Sequence, residues 1–358
     1  MKILIDIGHP AHVHYFRNFI KLMRNKGHEF LISARNKDLS QILLKKYGIS
    51  FFDRGRGSNN LLGKVGYAFI AVCRILKKGR IFKPDLFLSF ASPYAAYAAK
   101  LINKPHISFT DTENAKLGIM SFSPFTDCII TPESFKGSFG SKHVKFRGFM
   151  ELCYLHPNNF QPDRNIFIEL GLNENESFAL LRFVSWEASH DLGQAGIPDA
   201  AKIELVNRLS RDMRVFISSE GKIPDELKKN EIQISPEKIH DVLAFASLYI
   251  GEGATMASEC AMLGTPAIYV NSLTAGTIEA QQSYGLLFGF RNYAGVLTKV
   301  EELLSKPNLK QEFIQKRDRM LEEQIDVISF MVWFVENYPE SFGCIKEEPD
   351  YQAKFIQF

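Results

Sequence analysis

No cysteine of this chain lies in a Cys-x-x-Cys pair, and the five cysteines are odd in number and widely scattered. This is not the pattern of a disulfide framework or of a zinc site, so we expect reduced thiols and a cytoplasmic protein. The N-terminus, MKILIDIGHPAHVHYF, has only a short apolar run, broken by Asp6. It therefore lacks the apolar core and the cleavage site of a secretory signal.

Long apolar runs and a strong net charge are also missing. No segment approaches the ~20 apolar residues that a membrane-spanning helix needs. The formal net charge of +3 is small, and nucleic-acid binding usually requires a more concentrated positive field, so no DNA or RNA partner is expected. With 46% hydrophobic and 23% charged residues, the composition is that of a globular protein and excludes a disordered or fibrous one.

Short apolar runs alternate with helical patterns along the chain. The series KILIDIG, FRNFIKLMRNKG, EFLISAR is typical of right-handed βαβ units around a parallel sheet. The rhythm pauses at the polar, proline-containing stretch 154–164 and then restarts. We therefore predict an α/β protein with two Rossmann-like, doubly wound domains, 1–157 and 158–324. A helix within 325–340 is expected to complete the first domain, and 341–358 is expected to form a tail.

The stretch SLYIGEGATMASECAMLG combines a predicted strand, a tight turn and a helix. Gly251 and Gly253 allow a sharp turn and a close approach to a ligand. The free N–H groups and the positive dipole end of the following helix favour an anion, most often phosphate. In a doubly wound sheet this turn lies at the carboxyl edge of the strands, where ligands bind. A purely structural turn would carry the same glycines.

The residues that follow carry a more specific pattern. Gly-Ala-Thr-Met-Ala-Ser-Glu, then Gly-Thr-Pro-Ala-Ile-Tyr-Val and a glutamine pair, resemble the donor region of GT-B glycosyltransferases, especially the peptidoglycan N-acetylglucosaminyltransferases. The resemblance implies a UDP-sugar donor. It implies these contacts: Gly253, Ala254 and Thr255 with the diphosphate, Glu259 with the ribose, Gln281 and Gln282 with the sugar, and Lys238, Ile239 or His240 with the uracil. A solvated Glu259 and a glutamine pair without function are the alternatives.

Three histidines follow the first predicted strand in IGHPAHVHYFRN. His9, His12 and His14 lack the spacing of a zinc site, so no metal is expected. In the peptidoglycan enzymes a glycine-rich loop ends in a histidine, and the interval from His12 to Gly27 matches that family's. On this register His12 faces the acceptor hydroxyl as a base, because imidazole titrates near neutral pH. Hydrogen bonds from the histidines to the loop backbone are the alternative.

Two further stretches carry charged candidates. FTDTENA places Asp111 and Glu113 after a predicted strand, where they would act as a base or hold sugar hydroxyls, unless the loop is only an exposed acidic one. LLRFVSWEASHDLG opens the second domain, and the GT-B resemblance implies that Arg182 meets the donor phosphates, which an arginine fork suits. An interdomain salt bridge is the alternative for Arg182. Trp186, His190 and Asp191 follow it closely in the sequence.

Two broader features remain. HPAHVHYF, DTENA, ELCYLHP and RFVSWEASHD resemble a family catalogued as a domain of unknown function and grouped with the GT-B superfamily, over residues 1–340. The segment 61–84 mixes apolar residues with six basic ones, a composition suited to an amphipathic helix on an anionic membrane surface. An ordinary helix with a solvated basic face is the alternative.

These patterns predict a GT-B glycosyltransferase with its site in a cleft between two domains. It would move a sugar from a nucleotide-diphosphate sugar to a glycan or lipid-linked acceptor, as in polysaccharide biosynthesis. The resemblance implies no metal, since a helix dipole and Arg182 can stabilise the leaving diphosphate. The main alternative is a non-hydrolysing UDP-N-acetylglucosamine 2-epimerase, whose His-Arg-Arg-Glu-Asn type of motif is replaced here by RFVSWEASH. A nucleotide-sugar-binding protein without catalysis is the third possibility.

Overall fold

The computed structural model describes residues 1–36, 39–57, 61–174, 176–185 and 196–356, with the backbone alone at 61 and 62. The chain divides into two compact units. Unit 1 comprises Met1–Asn159 and Glu323–Phe358, and unit 2 comprises Phe160–Glu322.

Unit 1 contains a parallel sheet of seven described strands in the order β3-β2-β1-β4-β5-β6-β7. The strands are β1 Lys2–Ile7, β2 Glu29–Arg35, β3 Phe52–Gly55, β4 Leu86–Phe90, β5 His106–Phe109, β6 Cys128–Pro132 and β7 His143–Phe146. The chain runs from β1 to one edge and then crosses back to β4. The strand order therefore reverses between β1 and β4, and ligands bind beside the carboxyl ends of strands at such a point.

The helices of unit 1 cover both faces of this sheet. They are α1 Pro10–Asn25, α2 Ser40–Lys46, α3 Leu61–Phe82, α4 Pro93–Ile102, α5 Lys116–Phe122, α6 Leu152–Leu155, α14 Val327–Glu336 and α15 Glu340–Glu347. Right-handed crossovers place α1 and α2 on one face and α3, α4 and α5 on the other. The late helix α14 packs against α1 and α6, so the end of the chain is part of unit 1.

Unit 2 contains five described parallel strands in the order β12-β11-β10-β8-β9. They are β8 Phe178–Phe183, β9 Arg214–Ser219, β10 Leu248–Gly251, β11 Ala267–Val270 and β12 Leu287–Phe290. Its helices are α7 Ile166–Glu169, α8 Asp199–Leu209, α9 Ile239–Phe245, α10 Ala254–Leu263, α11 Gly276–Ser283, α12 Val296–Leu304 and α13 Leu309–Glu323. The two Rossmann-like sheets confirm the predicted α/β class.

Two features differ from the sequence patterns. The sequence pattern predicts helices throughout 299–337, whereas the structure interrupts them near Pro307 and again at Asp326, whose carboxylate accepts hydrogen bonds from the Ile328 and Ser329 N–H groups at the start of α14. The predicted tail, 341–358, contains most of α15 and a 3₁₀ turn over Pro349–Phe355. Within the described residues, no helix combines the length and the apolarity needed to cross a bilayer.

Candidate functional site

The turn between β10 and α10 lies at the carboxyl end of the unit 2 sheet. Gly253 is the N-cap of α10, and no described side chain caps the helix there. Ala254 is exposed, and Gly253 and Thr255 are partly exposed. The hydroxyl of Tyr249 fills the space where a Cβ at Gly251 would lie, so this position requires glycine. The first turn of α10 therefore presents N–H groups and the positive end of the helix dipole to solvent.

Glu259 and His240 are brought together by α10 and α9. His240 Nε2 lies 3.0 Å from Glu259 Oε1, and both side chains are buried. The alternative of a solvated Glu259 is therefore wrong. Lys238 forms an ion pair with Glu169 instead of joining this cluster. The pair holds a carboxylate in a fixed position inside the unit, close behind the α10 turn.

The two adjacent glutamines have different surroundings. Gln282 accepts a hydrogen bond from the Gly289 N–H at 2.9 Å and so ties α11 to β12. Gln281 is 0% exposed, and neither its amide oxygen nor its amide nitrogen finds a hydrogen-bond partner among the described residues. An unpaired buried polar group costs roughly 1–3 kcal/mol. A ligand that hydrogen-bonds to Gln281 would offset this cost.

Arg182 is already engaged within unit 2. Its Nη1 donates to Ser218 Oγ at 2.7 Å, and its Nη2 forms an ion pair with Glu220. Both partners follow from the parallel register of β8 and β9. A phosphate group would have to displace Glu220 to reach this guanidinium. Trp186, His190 and Asp191 lie outside the described residues.

Sequence reasoning missed a second carboxylate at the α10 turn. Glu252 is 1% exposed, and its Oε2 and Oε1 accept hydrogen bonds from the N–H groups of Val184, at 2.9 Å, and Ile197, at 2.5 Å. Glu252 thus fixes the backbone at both ends of 184–197 beside the turn. The position of Glu252 between the two glycines of GEG could have indicated this role, because a buried carboxylate on such a short turn needs hydrogen-bond donors close by.

In unit 1, the histidines of HPAHVH lie at the start of α1. His9 Nδ1 accepts from the Ala11 N–H at 3.2 Å, and His12 Nδ1 accepts from the Gly8 N–H at 3.3 Å. Both residues therefore bond to the loop backbone, as in the alternative interpretation. Burial, with added effects of His9 and Arg54, holds the pKa of His12 well below its usual value. The His12 ring is thus neutral near pH 7, and its proton lies on Nε2 in this conformation.

A buried charged network lies beneath this loop, and sequence reasoning missed it. Asp6 at the end of β1 accepts hydrogen bonds from Arg54 Nη1 at 2.9 Å and from the hydroxyls of Ser33 and Ser92 at 2.5 Å each. The Arg54 guanidinium is also buried and lies 4.4 Å from the centre of the Tyr94 ring. The signal was a single aspartate within the apolar strand KILIDI. The network joins β1, β2, β3 and the start of α4.

Asp111 and Glu113 lie in the loop after β5, at the same edge of the sheet as His12. Glu113 Oε1 accepts from the Lys136 N–H at 2.8 Å. Burial raises the pKa of Asp111 to about 6, although the Thr112 hydroxyl donates to its Oδ1 at 3.0 Å and opposes this shift. Asp111 therefore titrates closer to neutral pH than an ordinary carboxyl group.

We expect Asp111→Asn to stabilise the protein at pH 8. A carboxyl group whose pKa is raised on folding stabilises the folded state at low pH, and that contribution is lost as the pH rises from about 4 through about 6. Asparagine keeps the size and removes the charge. Because the side chain is partly exposed, the gain should be about 1–2 kcal/mol. Urea unfolding at pH 8 and pH 4 measures it, and an equal difference at both pH values would contradict the prediction.

Among the described residues, no three His, Cys, Asp or Glu side chains are grouped as potential metal ligands. The charged candidates in both units instead contact nearby side chains or backbone N–H groups. The clearest unsatisfied group in the predicted donor region is the buried amide of Gln281.

Solved structures share the fold of the chain. MnaA of S. aureus in complex with UDP has a TM-score of 0.70 and 14% identity, and covers 95% of this chain and 97% of its own. UDP-GlcNAc 2-epimerase of Neisseria meningitidis, bound to UDP-GlcNAc, has a TM-score of 0.65 and 11% identity, and the match covers 94% of this chain and 100% of the epimerase. The glycosyltransferase SsfS6 of Streptomyces sp. SF2575 has a TM-score of 0.58 and 13% identity, and the match covers 94% of this chain and 100% of SsfS6. These likenesses confirm the predicted GT-B fold.

Sequence comparison places the chain in a family. An uncharacterized protein of Methanocaldococcus jannaschii is 25% identical over 279 residues, which is 75% of this chain and 81% of that protein. The model of a family described as a protein of unknown function, DUF354, matches residues 1–280. This match confirms the predicted resemblance to a family of unknown function related to GT-B proteins. Since it includes both the HPAHVH loop and the GEGAT turn, the chain belongs to the DUF354 family.

Proposed function

We propose that this chain is a glycosyltransferase whose unit 2 binds a UDP-sugar and whose unit 1 binds a glycan or lipid-linked acceptor. The observation that carries the proposal is the buried amide of Gln281, which has no hydrogen-bond partner among the described residues. Gln281 lies on α11, which packs against α10. A buried polar group left unpaired on a helix that packs against α10, whose own N-terminus lacks a side-chain cap, suits a site for a polar ligand.

In the proposed donor complex, the first turn of α10 holds the diphosphate. The N–H groups of Gly253, Ala254 and Thr255 are the donors, and the helix dipole stabilises the negative charge. Glu259, held by His240 at 3.0 Å, accepts hydrogen bonds from the ribose hydroxyls. Gln281 binds the sugar. We propose that this charge stabilisation suffices without a metal, with Arg182 contributing only if Glu220 releases it.

In unit 1, we assign the proton-accepting role to Asp111. Asp111 removes the proton of the acceptor hydroxyl as that oxygen bonds to the anomeric carbon, and the bond to the diphosphate breaks with its electron pair. A general base works best when its pKa is near the working pH. Asp111, at about 6, meets this condition better than His12, whose pKa lies well below its usual value. His12 instead offers its Nε2–H as a hydrogen-bond donor, and Glu113 orders the loop through the Lys136 N–H.

A 2-epimerase is the second candidate, because the UDP-GlcNAc 2-epimerase of N. meningitidis matches the fold with a TM-score of 0.65, compared with 0.58 for the glycosyltransferase SsfS6. The two activities separate in a single assay. When the protein is incubated with UDP-N-acetylglucosamine and no acceptor, only an epimerase changes the sugar. A protein that binds the nucleotide sugar and never turns it over is a binding protein.

We expect UDP to raise the melting temperature, with a further rise for UDP-N-acetylglucosamine. A ligand at a hundred times its Kd stabilises the folded state by about 2.7 kcal/mol. Glu259→Ala should lose the shift with UDP. Gln281→Leu should be at least as stable as the parent without ligand, because a buried unpaired amide is removed, yet it should lose the additional shift from the sugar.

Gln282→Leu is the matched control for this experiment. It removes the hydrogen bond to Gly289, so it should lower stability while keeping both ligand shifts. GDP, ADP, CMP and NAD test the choice of base. If no nucleotide shifts the folded parent protein, the chain shares the GT-B fold without this donor site. If Gln281→Leu keeps the full sugar shift, Gln281 has no role in binding the sugar.

A further inference from the structure

The exposed apolar side chains of this protein are concentrated on one layer of unit 1. Among the described residues, thirteen large hydrophobic side chains are exposed. Eight of them lie on α3, α4, α5 and the 3₁₀ turn Ser123–Phe125: Val65, Phe69, Ile70, Ile81, Leu101, Leu117, Met120 and Phe125. Phe69 is 74% exposed and Leu117 is 84% exposed. Globular proteins rarely leave large clustered apolar surface uncovered unless it binds something.

These helices form one continuous layer. The crossovers from β3 to β4, from β4 to β5 and from β5 to β6 run in the same direction across the sheet, so right-handed connections place all three helices on one face. Helix α4 packs against both α3 and α5. Gly79 allows the close approach of α3, since a Cβ there would lie 3.1 Å from Ile102 Cδ1. We name the outer side of this layer the α3–α5 face.

The charge on the α3–α5 face has one sign. Helices α3, α4 and α5 contain seven lysine and arginine residues and no aspartate or glutamate, although the whole chain carries a net charge of only +3. All seven basic side chains are exposed: Lys64, Arg74, Lys77, Lys78, Arg80, Lys100 and Lys116. The rest of the chain is therefore net acidic, and the positive field is concentrated beside the apolar residues.

Helix α3 shows how the two properties are arranged. Its buried side repeats every four residues, at Tyr67, Ala71, Ile75 and Gly79. On the opposite side, the first half of the helix exposes Val65, Phe69 and Ile70, and the second half exposes mainly lysine and arginine. A helix that presents apolar and basic side chains together is suited to the boundary between lipid headgroups and acyl chains.

We propose that the α3–α5 face docks on the surface of an anionic lipid bilayer. The apolar side chains enter the interface, and the basic side chains contact the headgroup phosphates. A second copy of this chain fits less well, because a twofold contact would bring the same basic helices together without acidic partners. The surface belongs to unit 1 alone and does not depend on the nucleotide site of unit 2. Combined with the proposed function, it favours a lipid-linked acceptor.

Sedimentation with lipid vesicles tests this proposal. The full chain should sediment with vesicles of phosphatidylcholine and phosphatidylglycerol, and not with phosphatidylcholine alone, and added salt should release it. The double variant Phe69→Ser, Leu117→Ser should bind at least roughly tenfold more weakly, because two inserted apolar side chains are lost. The double variant Lys77→Gln, Lys78→Gln should lose roughly tenfold through charge alone.

Ile168→Ser is the matched control, because Ile168 is 76% exposed but lies on α7 of unit 2. This variant should bind vesicles as the parent does. Equal binding to neutral and anionic vesicles, or no loss in the Phe69 and Leu117 variant, would overturn the proposal. So would a dimer in sedimentation velocity that the same variant abolishes, since the face would then join two copies. The UDP shift, measured on every variant, should not change, which separates this result from the fate of the donor site.

Discussion

Replacing Asp6 with alanine is expected to lower the free energy of unfolding by about 3–5 kcal/mol. The substitution leaves the Arg54 guanidinium buried without its carboxylate, and the hydroxyls of Ser33 and Ser92 lose their acceptor. Removing one partner of a buried ion pair is costly because the remaining charge has been taken out of water without compensation. The loss should fall on unit 1, since every member of the network belongs to it.

Urea unfolding followed by tryptophan fluorescence measures this loss. The chain has two tryptophans, and a Trp186→Phe background leaves Trp333 in α14 as the reporter of unit 1. The control is the double variant Asp6→Leu, Arg54→Met, which replaces the pair by apolar side chains and should recover most of the stability. If the free energy of unfolding of Asp6→Ala lies within about 1 kcal/mol of that of its parent, the Asp6–Arg54 pair contributes much less than a buried ion pair should.

The Asp6 network also bears on the chemistry of unit 1. It ties the carboxyl ends of β1, β2 and β3 together directly below the loop that carries His9 and His12. Burial is the main cause of the low pKa of His12, and the positive charge of Arg54 adds to it. A neutral His12 ring suits a hydrogen-bond donor better than a base.

The features that sequence patterns predicted are those that depend on neighbouring residues. Helix α10 ends at Gly264, whose φ of 66° is the left-handed conformation that glycine favours. The strand and turn before α10 follow equally from local composition. Local composition does not predict the short strands β3 and β12, because FDRG contains two charged residues and LFGF a glycine, which obscure the strand pattern.

The side-chain contacts that sequence patterns missed depend on residues far apart in the chain. Asp6 and Arg54 are 48 positions apart and meet only because β2 brings β3 close to β1. The pairing of Arg182 with Glu220 depends on the register of β8 and β9. Burial, which no short pattern reveals, raises the pKa of Asp111 and lowers the pKa of His12. For this reason the sequence favoured His12 as the base, whereas the surroundings of the two side chains favour Asp111.

The largest effect on activity is expected from Asp111→Asn. If Asp111 is the general base, replacing its carboxylate by the amide of asparagine should lower turnover by about 10²–10⁴-fold and leave UDP binding by unit 2 unchanged. For the parent protein, kcat/KM should rise with pH and level off above about 6, where the Asp111 carboxylate is deprotonated. Release of UDP from UDP-N-acetylglucosamine, with a lipid or glycan extract as acceptor, measures this rate.

His12→Gln provides the comparison, because glutamine keeps an N–H donor but cannot take up a proton. This variant should stay within about tenfold of the parent if His12 only donates a hydrogen bond, whereas a general-base role would cost about 10²–10⁴-fold. Loss of turnover in both His12→Gln and His12→Ala, with Asp111→Asn active, would assign the base to His12. Asp111→Asn also carries its own internal check. A carboxylate kept for structure should lower stability when it is replaced, whereas one kept for catalysis should raise stability at pH 8 while turnover is lost.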